Sequence, residues 1–111
     1  GTMHELTHHP KLGASWEGFV MEQVVSALKL RDFYFYNVHS GSELDMFFLH
    51  KGKRIGVEIK REDAPRMTKS MHVSMADLKL DKLRVVYPGE HRYSIGTNAE
   101  CVPFAQLDKL V

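Results

Sequence analysis

Asp45, Glu58 and Lys60 are the residues of this chain whose types and spacing could do chemistry together. Glu58 and Lys60 are two apart, so on a strand they project from one face. Asp45 comes within reach of them if Leu44 to His50 and Arg54 to Lys60 are two strands joined by a hairpin turn at Lys51-Gly52. His50 then pairs with Lys53. The same register sets Leu44 against Ile59, Met46 against Val57 and Phe48 against Ile55, which makes one apolar face. The other face pairs Asp45 with Glu58, Glu43 with Lys60 and Phe47 with Gly56. A slip of one residue would set apolar against polar throughout. Directly opposed side chains have Cβ atoms about 5 Å apart, and two carboxylates at that distance repel unless a cation lies between them. A hard divalent cation such as Mg²⁺ takes one or two carboxylates together with water and substrate phosphate. Lys60 adds a positive charge beside the place of the phosphate, and Gly56 leaves space on that face for a backbone to approach. The competing reading of the same residues is a solvated sheet face, with Lys60 salt-bridged to Glu43 or Glu58.

The elements that would position these residues follow from periodicity. Leu12, Trp16, Phe19, Val20, Val24, Ala27 and Leu28 recur at steps of three and four, one apolar stripe of a helix that fades near Leu30-Arg31-Asp32. Glu17 lies at the edge of that stripe. The aromatic run Phe33 to Val38 reads as a strand, and His39-Ser40-Gly41-Ser42 as a turn or bulge. The hairpin follows, then a loop from Arg61 to Arg66 that contains Pro65. Thr68 to Leu80 reads as a second helix with Met71, Met75 and Leu78 on one face. Leu83 to Tyr87 is a short strand stopped by Pro88-Gly89. Glu100 to Val102 is a further strand, and Phe104 to Leu107 a last helical turn. The order is α-β-β-β-α-β and then a weaker β, an α/β domain with a central sheet flanked by helices.

The chain has 111 residues, 43% hydrophobic and 26% charged, which fits one globular core and argues against general disorder. A net charge of +1 carries no global nucleic-acid signature, so any such affinity must come from a local patch. The single cysteine, Cys101, excludes an internal disulfide and a cysteine-based zinc site, and it fits a reducing, cytoplasmic setting. No apolar run is long enough to span a membrane, and no signal-peptide pattern opens the chain. Gly1 and Thr2, ahead of Met3, read as a cloning remnant. Residues 1–10 are expected to be a mobile N-terminus and 11–111 the folded domain.

An acid on a first helix, an Asp on one hairpin strand and Glu-X-Lys on the next resemble the PD-(D/E)XK nuclease superfamily. The residues are Trp16-Glu17-Gly18-Phe19, Ser42-Glu43-Leu44-Asp45 and Gly56-Val57-Glu58-Ile59-Lys60, and the likeness covers roughly Leu12 to Pro103. More narrowly, the chain resembles the nuclease-like C-terminal domain of bacterial and archaeal AAA-type ATPases. Leu83 to Pro88 is similar to the strand after the second helix in that group. The resemblance implies a restriction-endonuclease-like core with a mixed central sheet, and metal-dependent hydrolysis of DNA phosphodiesters. Asp45 and Glu58 would hold Mg²⁺ or Mn²⁺, with the Ile59 carbonyl as a further ligand. Lys60 would orient the attacking water and stabilise charge in the transition state. Glu17 would add a metal or water contact, or is an ordinary first-turn acid facing the helix dipole. DNA contacts would fall to Arg54, Arg61, Arg66 and Lys69, which flank the site, although scattered basic residues are also ordinary surface. A homodimer would suit cutting of both strands, and an ATPase domain is expected in the parent protein. This chain contains no Gly-X-X-X-X-Gly-Lys-Ser/Thr stretch, so no nucleotide cofactor is expected on it. Such a fold could also be catalytically silent and serve as a DNA-binding or regulatory module.

The seven histidines suggest zinc, but His4, His8 and His9 have no catalytic zinc spacing. His39 reads as a turn residue and His72 as exposed. Cys101 reads as core, the methionines as packing, and Tyr34 and Tyr36 as part of a sheet covered by helices.

Overall fold

The computed structural model describes residues 15–35 and 44–111. Helix α1 spans Trp16–Leu28. Ser15 caps it, its Oγ accepting from Gly18 N–H at 3.0 Å. Strand β1 (Phe33–Phe35) follows, then β2 (Met46–His50), β3 (Lys53–Ile59), helix α2 (Lys69–Asp77), β4 (Lys82–Tyr87), β5 (Tyr93–Gly96) and β6 (Ala99–Pro103). A 3-10 helix, Phe104–Lys109, closes the chain. Thr68 caps α2 as Ser15 caps α1, with Oγ1 taking Met71 N–H at 3.1 Å.

The strands form one mixed sheet in the order β1-β2-β3-β4-β6-β5. The central strands β3, β4 and β6 are parallel, while β1, β2 and β5 add antiparallel at the margins. Successive strand residues face opposite sides, so the sheet carries two cores. On one side Met46, Phe48, Ile55, Val57, Ile59, Val86 and Val102 pack with Val20, Met21 and Val24 of α1 and with Leu107 and Leu110 of the closing segment. On the other, Phe47, Leu83, Val85, Tyr87, Ala99 and Cys101 pack with Met71 of α2. The expected α/β architecture, a mixed sheet flanked by helices, is therefore the observed one.

The hairpin register is the expected one over Met46–Val57, Phe47–Gly56, Phe48–Ile55, Leu49–Arg54 and His50–Lys53. It stops at Met46, and that changes Leu44. Asp45 N–H donates to the Val57 carbonyl at 3.0 Å, and its carboxylate takes the Ile59 N–H that a ladder partner would have taken. Leu44 thereby leaves the expected pairing with Ile59 and packs in the α2-side core. The space expected over Gly56 is filled as well. A Cβ there would lie 2.5 Å from Leu80 Cδ1 and 2.9 Å from Leu44 Cδ1, so side chains and not an approaching backbone occupy it.

Other boundaries shift modestly. The first-helix stripe centres on the fully buried Val20 and Val24, with Trp16 and Leu28 packed at its ends; Phe19 and Ala27 are exposed. Strand β5 is a gain over the expected order. Its register against β6 shifts between Ser94 and Gly96, which breaks the alternation that would have marked it. Leu12, Tyr36 to Glu43 and the three N-terminal histidines lie outside the described residues.

Candidate functional site

Strand β2 runs antiparallel to β3, so the residue before β2 lies beside the carboxyl end of β3. That end is also the carboxyl end of the parallel core, where open α/β sheets place their ligands. Asp45 and Glu58 meet there. The Ile59 N–H donates to Asp45 Oδ2 at 2.7 Å and to Glu58 Oε1 at 3.2 Å. Both carboxylates thus lean on a single backbone donor, closer to one another than independent surface acids would settle. Glu58 is 5% exposed, and Asp45 is half-buried. The next residue, Lys60, is half-buried and is fixed by its own N–H donating to the Val86 carbonyl of β4 at 2.9 Å. Asp45 and Glu58 therefore meet through the Ile59 amide and not as a direct cross-strand pair, and Lys60 follows Ile59 in the chain.

Two carboxylates with adjoining oxygens and a neighbouring backbone carbonyl are the donor set that suits a hard divalent cation, which completes its shell with water. Asp45, Glu58 and the Ile59 carbonyl fit that requirement. Among the described residues no group of three or more His, Cys, Asp or Glu is placed to hold a metal ion. Glu17 is in the first turn of α1, where its Oε1 takes Arg61 Nε at 3.0 Å. The Arg61 guanidinium also lies 5.7 Å above the Trp16 ring. This exposed pair ties the start of α1 to the segment after Lys60; such pairs contribute little stability.

The expected phosphate-contacting residues separate. Arg61 lies beside the site. Arg66 and Lys69 are exposed, Arg66 on the loop after β3 and Lys69 at the start of α2. Arg54 is at the far end of β3. Its Nε donates to the Leu78 carbonyl at 2.6 Å and its guanidinium lies 5.0 Å above Phe47, which fastens α2 to the hairpin. Cys101 is fully buried, and burial pushes its thiol pKa up, as suits a core residue. His72 is exposed, and Tyr34 stacks on Phe47 at 6.1 Å.

Residue spacing did not reveal what holds the loop beyond Lys60. Tyr93 Oη donates to the Pro65 carbonyl at 2.7 Å, and Cys101 Sγ approaches the same oxygen at 3.6 Å. Desolvation raises the Tyr93 pKa, so the hydroxyl keeps its proton for that bond. The sequence signal was faint, a tyrosine in the missed strand β5. A second cluster, Arg84 with Glu100 and Arg92, is structural and is signalled by an arginine inside the apolar run Leu83 to Tyr87.

Fold and site together define a mixed α/β domain with an acidic pair and a lysine at the carboxyl end of its parallel strands. The chain belongs to the family described as a domain of unknown function (DUF4143), which it matches over residues 12–107. It is 41% identical over 102 residues to an uncharacterised protein of Mycobacterium tuberculosis, and equally to one of Mycobacterium bovis. The match takes in 92% of this chain and 23% of each relative, so the chain spans about a quarter of their length. No solved structure matches it. No helix among the described residues is long and apolar enough to cross a membrane.

Proposed function

We propose that this chain is a nuclease-like module that hydrolyses DNA phosphodiesters with Mg²⁺ or Mn²⁺. The observation that carries this reading is the convergence of Asp45 and Glu58 on the Ile59 amide, directly before Lys60. Asp45, Glu58 and the Ile59 carbonyl would hold the cation. When bound, it would make a water more acidic and offset phosphate charge. The Lys60 ammonium would orient that water and stabilise the charge that grows on the phosphoryl oxygens. Arg61, Arg66 and Lys69 would draw in the DNA backbone. Glu17 would act through Arg61, holding the guanidinium at the mouth of the site. The remaining three quarters of a longer relative leave room for an ATPase module, and a dimer would bring two such sites to the two strands of a duplex.

A second reading is a silent nuclease-like fold that binds DNA or regulates a partner. It is favoured by the small number of acids among the described residues, where Glu17 is turned to Arg61 and Asp45 and Glu58 remain. Calorimetric titration of Mg²⁺ and Mn²⁺ into the wild type and Asp45→Asn, with plasmid nicking on the same samples and on Lys60→Ala, separates the two. Binding lost in Asp45→Asn and nicking lost in both variants support hydrolysis. A wild type that binds neither ion at millimolar concentration, or nicking unchanged in both variants, overturns it.

A further inference from the structure

Helix α1, helix α2 and the β2–β3 hairpin all turn at the end of the molecule away from Asp45 and Glu58. Each turn is made by a lysine in the left-handed conformation: Lys29 at φ 53°, Lys51 at φ 51° and Lys79 at φ 51°. Glycine or asparagine takes this conformation at lower cost. The remaining non-glycine residue with positive φ among those described is Asn98, a type suited to it. The helix dipole gives Lys29 and Lys79 a local use at the two helix ends. It gives none to Lys51, nor to Arg31, Lys53 and Lys82, which share this end.

Five of these six cations adjoin one another, and Lys79 stands beyond them after the end of α2. Lys29, Arg31, His50 and Lys51 line one depression of about 320 Å³, and His50, Lys51, Lys53 and Lys82 line an adjoining one of about 330 Å³. None of the six lysines and arginines is in an ion pair among the described residues. The described carboxylates at this end are Asp32, which lines the first depression, Asp77, and Asp81, which is engaged by Arg54 N–H at 2.7 Å; Lys82 also lies in the field of Glu100.

We propose that this end binds the phosphate backbone of duplex nucleic acid. Lys29 and Lys79 belong to helices on opposite faces of the sheet, with Lys51 between them on the hairpin. They therefore bracket a span of roughly 20 Å, taking each helix to lie about as far from the sheet as two packed helices lie apart. A duplex offers one phosphate charge per about 1.7 Å of axis over such a span. A single extended acidic peptide runs along one line and meets two of the three turns. A flat bilayer leaves the depressions between them unfilled. The platform does not rest on the hydrolytic reading, because Asp45 lies about 17 Å away along the β2–β3 hairpin.

Strain and charge can be separated by experiment. The triple variant Lys29→Gly, Lys51→Asn, Lys79→Gly relieves all three turns while removing their charge. Anisotropy of a labelled 24-base-pair duplex is followed from 50 to 200 mM KCl, beside thermal melts. The expected result is a raised melting midpoint, affinity at least about tenfold weaker, and a log–log salt slope shallower by about three. The titrations contain no divalent metal, so loss of nicking in Asp45→Asn bears on the hydrolytic site alone and leaves the platform standing. An unchanged duplex affinity and slope in the triple variant overturn the proposal. So does lysine-dependent binding to polyglutamate or to phosphatidylserine vesicles without binding to the duplex.

Discussion

Asp45 closes the ladder between β2 and β3. Its carboxylate accepts the Ile59 N–H at 2.7 Å, where a regular ladder would have supplied a backbone carbonyl. Removing the acceptor leaves that amide with the longer 3.2 Å contact to Glu58. Asp45→Ala is expected to lower stability by roughly 1–3 kcal/mol, and Asp45→Asn, which keeps an acceptor oxygen, by less. Urea unfolding of the two variants checks this. Equal losses would mean that the carboxylate does not hold the amide. The pair explains how far the site was legible in the sequence. Alternating apolar residues and the Lys51-Gly52 turn fixed the register from Met46 to Lys53, and so brought Asp45 to Glu58. The switch of Leu44 to the other face was not legible. It depends on a side chain replacing a backbone acceptor, and periodicity does not register such a change. Gly56 misled for a related reason. A missing side chain shows that space exists and says nothing of what fills it, here Leu80 and Leu44.

The two helices end in the same way. Leu28-Lys29-Leu30 and Leu78-Lys79-Leu80 each put a lysine where glycine is usual. The N–H groups of Lys29 and Leu30 return to the carbonyls of Ser26 and Val25, and those of Lys79 and Leu80 to Ala76 and Met75. Leu30 then packs into the α1-side core and Leu80 into the α2-side core. Sequence reading carried the first helix to Leu30 and the second to Leu80, because without a glycine the leucines continue the apolar period past the true ends. Lys29→Gly and Lys79→Gly are each expected to stabilise the protein by roughly 0.5–1 kcal/mol. Relief of the left-handed strain outweighs the added freedom of the unfolded chain. Thermal melts of the single variants measure it. A fall in midpoint would show that the lysine stems contribute packing which the backbone geometry does not reveal.

On the scale of the whole molecule, a net charge of +1 hides an uneven distribution. The carboxyl end of the parallel strands mixes Asp45, Glu58 and Glu17 with Lys60 and Arg61, while at the other end lysines without an ion pair among the described residues outnumber the acids, a pattern that only the fold displays. The far side of the sheet carries a different arrangement, a buried charge that must be balanced. Arg84 is 6% exposed; its Nε donates to the Leu110 carbonyl at 3.0 Å, and burial lowers its pKa. Glu100 Oε1 lies 3.4 Å from Arg84 Nη2 and 3.0 Å from Arg92 Nη2, and Arg92 also donates to the Lys109 carbonyl. The closing segment is thus pinned to β4 and β6 through one carboxylate. The hydrogen bond from Arg92 holds Glu100 below the ordinary carboxylate range; the Arg84 charge adds to this, and burial opposes it. A depressed folded-state pKa adds stability that is present above the unfolded value, about 4.3 for glutamate, and is lost as pH falls through the folded one. Glu100→Gln keeps the shape and loses the charge, so it is expected to melt lower than the wild type at pH 7. That gap should shrink as pH drops below about 4, since the wild-type carboxyl then becomes neutral as well. A gap of constant size between pH 7 and pH 2.5 would show that the carboxylate charge is not what secures Arg84 and the closing segment.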